Sequence, residues 1–136
     1  MGIIGLTTVE APTNSSPGPT VKFNDYVSSI EPVLAELADK GIDKIILLSH
    51  IGYEADKELA AEVDGIDLIV GGHSHTLLSD TDPAASGPYP TVVKSSSGDP
   101  VLITQAEAYG KYLGNINLTF DEKGLPIKWA GAPLLL

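Results

Sequence analysis

The sequence contains no cysteine, and its 8 lysine and arginine residues are outnumbered by 18 aspartates and glutamates. Without cysteine the chain has no disulfide, no thiolate zinc site and no thiol nucleophile. The compartment stays open, because cysteine-free domains occur on both sides of a membrane. The scarcity of basic residues leaves a formal net charge of −10, which repels nucleic acid and anionic membrane surfaces. It also repels phosphate esters, unless bound cations reverse the local field. Long apolar runs are missing too. The longest, Ile45 to Leu48, falls far short of the roughly 20 residues needed to span a bilayer. Met1 to Thr8 is apolar but lacks a basic start and is too short for a signal peptide.

What remains describes one folded domain. A length of 136 residues with 43% hydrophobic content suits a single compact unit with its own core. The acids are spread along the chain, as on a solvated surface. Two parts differ in pattern. Residues 1–78 read strand, helix, strand, helix, strand, and residues 79–136 read as short strands joined by turns.

In the first part, Ile3 to Thr7 reads as a short buried strand, and the proline-bearing stretch Pro12 to Pro19 reads as a loop. Val27, Ile30, Leu34 and Leu37 fall at helical spacing, with Gly41 as a stop. Pro32 lies within that pattern and either kinks the helix or marks its first turn. Lys44 to Ser49 is the continuous run of a strand covered on both faces. Glu54 to Val63 predicts a second helix, with Leu59, Ala60 and Val63 on one side, and Leu68 to Val70 a third strand. That order implies parallel pairing through right-handed crossovers. In the second part, Thr91–Val93, Val101–Thr104, Ile116–Phe120 and Ile127–Ala130 predict an antiparallel meander.

The three histidines fall in two places, His50 and the pair His73 and His75. Each place directly follows a predicted parallel strand, where α/β sheets gather ligands. Three imidazoles converging on one sheet edge suggest a metal site. Rings two residues apart in an extended loop aim at different points, which suits two metals better than one. Gly71 and Gly72 remove side chains where the backbone approaches closely. The plainer reading, that these are ordinary loop histidines, stays open. Glu54, Asp56 and Asp80 are acids near the histidines in sequence, and helix surface or loop solvation accounts for each. Tyr26, Tyr53, Tyr109, Tyr112 and Trp129 read as packing residues, and Lys111 as a surface lysine.

The stretches Ser49-His50-Ile51-Gly52-Tyr53-Glu54 with Asp56-Lys57, and Gly65-Ile66-Asp67-Leu68-Ile69-Val70-Gly71-Gly72-His73-Ser74-His75-Thr76, resemble the 5′-nucleotidase branch of the calcineurin-like metallophosphoesterases. Ile4–Thr8, Tyr109–Gly114 and the Phe120–Gly124 turn extend the resemblance over nearly the whole chain. It implies the C-terminal half of the catalytic domain, which is half of a four-layer α/β/β/α sandwich. The activity it implies is hydrolysis of nucleoside 5′-monophosphates or related phosphate esters. It further implies two divalent metal ions (Zn, Mn or Fe), with His50 and His73 on one and His75, at a position the family fills with His, Asn or Gln, reaching the other. An extracellular or periplasmic location follows from the same resemblance.

The family's Asp-x-His pair, its bridging aspartate and its Asn-His step have no counterpart in this sequence, and no catalytic residue is assigned. The chain is therefore expected to be inactive or weakly active alone. Alternatives are a metal- or anion-binding module without catalysis, and a structural remnant. Half of a sandwich leaves apolar sheet surface bare, so self-association or pairing with an N-terminal half is expected.

Overall fold

The computed structural model describes residues 1–136. β1 (Gly2–Thr7) leads through α1 (Ala11–Asn14) and α2 (Tyr26–Asp39) to β2 (Ile45–His50). α3 (Tyr53–Glu62) joins β2 to β3 (Leu68–Val70). Then follow β4 (Thr91–Lys94), β5 (Pro100–Thr104), β6 (Tyr112–Phe120) and β7 (Pro126–Leu135). The prolines of residues 12–19 do not exclude helix at the start of that stretch, because Pro12 falls in the first turn of α1, where a missing N–H costs nothing. α2 begins where the Asp25 carboxylate accepts the Ser28 N–H at 3.0 Å, and it continues through Pro32.

The five-stranded sheet runs β1-β2-β3-β5-β4. β1, β2, β3 and β5 are parallel and β4 is antiparallel to β5. The expected meander is thus two separate hairpins. β4–β5 extends the main sheet, with β5 as a fourth parallel strand, and β6–β7 forms its own two-stranded sheet. Local alternation cannot distinguish these outcomes, because β5 pairs with a strand some thirty residues earlier.

Right-handed crossovers between neighbours in the order β1-β2-β3 place both long helices on one face. Ile30 from α2 and Tyr53, Leu59 and Ala60 from α3 pack there against Ile4, Leu47, Ile69 and Ile103. The opposite face is covered only at its centre, where Leu68 and Leu102 are buried. Around them Ile3 is 59% exposed and Leu48 49%, with Val70 and Val92 also open. The expectations that β1 is buried and that β2 is covered on both faces are corrected accordingly: helices shield one side, and nothing in these residues shields the rim of the other.

Candidate functional site

The histidines sit at the carboxyl ends of β2 and β3. His50 is the last residue of β2, and β3 ends at Val70, just before the Gly-Gly-His-Ser-His loop. The parallel register pairs Leu48 with Val70, so the two loops leave the sheet side by side. The rings of His50 and His73 meet edge to face, with centroids 5.2 Å apart. Gly72 makes that approach possible, since a Cβ there would lie 3.1 Å from His50 Nδ1. His75 turns elsewhere, and its ring lies against Tyr109 at 5.2 Å. The structure therefore joins two of the three histidines and sends the third toward a neighbouring polar hollow of about 330 Å³, lined by Asp82, Glu107, Lys111 and Tyr112.

His73 and His75 both adopt left-handed backbone, at φ 72° and 53°, a conformation that costs non-glycine residues free energy and persists only when neighbours hold it. The holder is Gln105, 3% exposed, just beyond β5. Its Nε2 donates to the Gly72 carbonyl at 3.2 Å. Its Oε1 accepts from the Thr76 N–H at 2.5 Å and from the Ser74 hydroxyl at 3.1 Å. Ser74 Oγ in turn accepts the Tyr53 N–H at 3.0 Å, tying this loop to the start of α3. Backbone bonds finish the suspension: Gly71 N–H donates to the Thr104 carbonyl, Leu78 N–H to the Gln105 carbonyl and Glu107 N–H to the Thr76 carbonyl.

Beneath the His50 loop lies Asp56. Its place on the α3 face that also carries Tyr53, Leu59 and Ala60 leaves it 0% exposed, a correction to the surface position expected for it. Its Oδ1 accepts the Ser49 hydroxyl at 2.5 Å, whereas Oδ2 has no hydrogen-bond partner. Burial pushes this carboxyl up to about 6, and the Ser49 hydrogen bond opposes the rise only in part. A Cβ on Gly71 would lie 2.5 Å from that unpartnered oxygen. Glu54 is on the surface, paired with Lys57 at 2.8 Å, and Asp80 accepts the Tyr89 N–H at 3.2 Å.

Of two further residues near the histidines, one has no role in the sequence reading and the other is expected there to pack. Glu10, after β1, places Oε2 3.1 Å from His73 Nε2. Tyr109 is not a packing residue, being 96% exposed apart from its edge contact with His75. Lys111 is exposed as expected, with its Nζ 2.9 Å from a Glu107 carboxylate oxygen.

Neutral imidazoles are good ligands for divalent transition metals. The paired rings of His50 and His73, with side-chain room left by Gly72, fit half of such a site. The fit stops there, because no three histidine, aspartate or glutamate side chains group closely enough to enclose an ion.

No protein-family model matches the chain. Its sequence is 45% identical to the snake venom 5′-nucleotidase of Gloydius brevicauda, over 100% of this chain and 24% of that protein. The fold superposes with a TM-score of 0.94 on a 5′-nucleotidase precursor from Thermus thermophilus, at 47% identity, covering 98% of this chain and 27% of the other. An NAD nucleotidase from Haemophilus influenzae matches with a TM-score of 0.93 and 36% identity, over 98% of this chain and 25% of that one. The chain thus spans about a quarter of the length of these relatives. With a shared sheet, a match along its whole length and identities well above the level at which fold alone is shared, this chain belongs to the 5′-nucleotidase family.

Proposed function

We propose that the chain contributes metal ligands to a hydrolase of nucleoside 5′-monophosphates or related phosphate esters. The observation that carries the reading is the contact between His50 and His73 at the ends of adjacent parallel strands. In this reading the two imidazoles hold one divalent ion (zinc, manganese or iron), and His75 serves a second. Such ions supply positive charge to bind the phosphate and lower the pKa of a bound water. A chain of net charge −10 has particular need of that charge, since it otherwise repels its substrate. The chain's own residues position the ligands: Gln105 and Ser74 fix the loops, and Tyr109 forms an exposed wall beside His75. The names of the relatives, 5′-nucleotidase and NAD nucleotidase, support a nucleotide substrate.

Turnover in this reading draws on ligands beyond these 136 residues, so the isolated chain binds metal and is inactive or weakly active. The bare rim of the sheet, with Ile3, Leu48, Val70 and Val92, is the surface proposed for self-association or for a partner half. The test is calorimetric titration of the chain with Zn²⁺ or Mn²⁺. His50→Ala and His73→Ala should each weaken binding at least tenfold. Unchanged affinity in the double variant refutes the assignment. A second reading is a metal-binding module without catalysis, which asks no more of the chain than the paired imidazoles of His50 and His73. Supplying the rest of the catalytic domain in trans decides between them. Restored hydrolysis of AMP supports the hydrolase, and metal binding with no turnover supports the module.

A further inference from the structure

We infer that Gln105 is the positioning residue that sets the contact between His50 and His73, acting through Ser74. This rests on the proposed function only in treating those two rings as ligands. The argument is one of connectivity. A single buried amide, 3% exposed, spans the Gly-Gly-His-Ser-His loop from Gly72 to Thr76. It thus encloses His73 and His75, the two histidines with left-handed backbone. Neither half of the amide is idle: the donor holds the Gly72 carbonyl, and the acceptor takes both the Thr76 N–H and the Ser74 hydroxyl.

Ser74 completes the link. Its one hydroxyl hydrogen goes to Gln105, so the 2.8 Å contact with Thr76 is made by the threonine hydroxyl donating. Its remaining lone pair receives the Tyr53 N–H, and Tyr53 opens α3 three residues after His50. The chain of bonds therefore runs from β5, through the β3 loop, to the β2 loop. Gly52 touches the same assembly, since a Cβ there would lie 3.6 Å from His73 Cδ2 and 3.7 Å from Ser74 Cβ. Removing the amide leaves the Thr76 N–H without its acceptor and releases the Ser74 hydroxyl to rotate away from Tyr53. Both histidine loops then lose a shared reference point, although β2, β3 and β5 keep their ladders.

The decisive measurement is made on the metal-free full chain. In the wild type, nuclear Overhauser cross-peaks between ring protons of His50 and His73 report their contact directly. Gln105→Leu, close in volume but without hydrogen-bonding groups, should abolish those cross-peaks while far-ultraviolet circular dichroism stays unchanged. Gln105→Glu keeps the acceptor and loses the donor, and should retain them in weakened form. Zn²⁺ affinity of the folded leucine variant should fall by roughly 10- to 100-fold, the usual effect of removing a group that orients metal ligands. Cross-peaks of wild-type intensity in folded Gln105→Leu overturn the inference. If that variant does not fold, Ser74→Ala, at an exposed position, cuts the same link. Wild-type cross-peaks in the alanine variant overturn it equally. A wild-type chain that shows the ring contact but binds no zinc defeats the ligand reading and leaves the positioning result standing.

Discussion

Replacing Asp56 by asparagine should change how stability depends on pH, by an amount set by burial of the carboxyl. In the folded chain Asp56 titrates at about 6, above its ordinary value of 3.8, because burial disfavours the charged form. The folded state therefore holds this proton more tightly than the unfolded chain does. The stability contributed by that proton is fully present below about pH 4 and is lost as pH rises to about 6. Above that pH the folded protein carries an ion in a dry position, with one oxygen unpartnered. A gap of about two pH units corresponds to about 3 kcal/mol at 1.36 kcal/mol per unit. Asparagine cannot ionise, so it removes this dependence whatever it gains or loses in packing. Asp67 is also buried and also held near 6, but it contributes alike to both proteins and cancels in the difference. Urea unfolding of wild type and Asp56→Asn, in chelator, at intervals from pH 4 to 8, gives that difference directly. The variant should gain about 2–3 kcal/mol relative to wild type across this range. A difference that stays constant with pH would refute the argument and show that the Asp56 carboxyl titrates as an ordinary one.

Two further outcomes are expected. Gly71→Ala should destabilise the chain by about 1–3 kcal/mol, as overpacking does, because its Cβ would meet Asp56 Oδ2 at 2.5 Å and Gln105 Nε2 at 3.0 Å. The loss should be smaller when Asp56 is already alanine, which a double-mutant cycle by chemical denaturation measures. Leu48→Lys, on the open face of β2, should shift sedimentation toward monomer without altering circular dichroism. A wild-type chain that is already monomeric at micromolar concentration would count against association through this face.

Much of the fold was legible because its signals are local. The apolar run at β2, the helical spacing of Val27, Ile30, Leu34 and Leu37, and the strand-helix-strand order each appear within a short window. The family motifs around His50 and His73 pick out two loops that the parallel register brings side by side. What stayed hidden depends on partners distant in sequence. β5 reads as half of a hairpin, and its parallel pairing with β3 is decided by the closure of a sheet. Gln105 carries no signal of its own, because its importance arises only when β5 brings it beneath residues 72–76. Asp56 was misplaced for a related reason. An acid in the first turn of a helix suits the helix dipole and commonly faces water, and only the packing of α3 on the sheet shows that this one faces inward. The direction of His75 was equally out of reach, since it follows from a left-handed backbone at a histidine rather than a glycine.

Hanging the histidine loop from β5 has a practical consequence for anyone wishing to transplant it. A peptide spanning residues 45–76 would contain all three imidazoles together with Gly71 and Gly72, yet none of the bonds that Thr104 and Gln105 provide. It would carry the right donors on a backbone free to relax out of its left-handed turns. Grafts of this motif should therefore include the strand around residues 100–105, and their success is better judged by the shape of residues 71–76 than by a count of histidines.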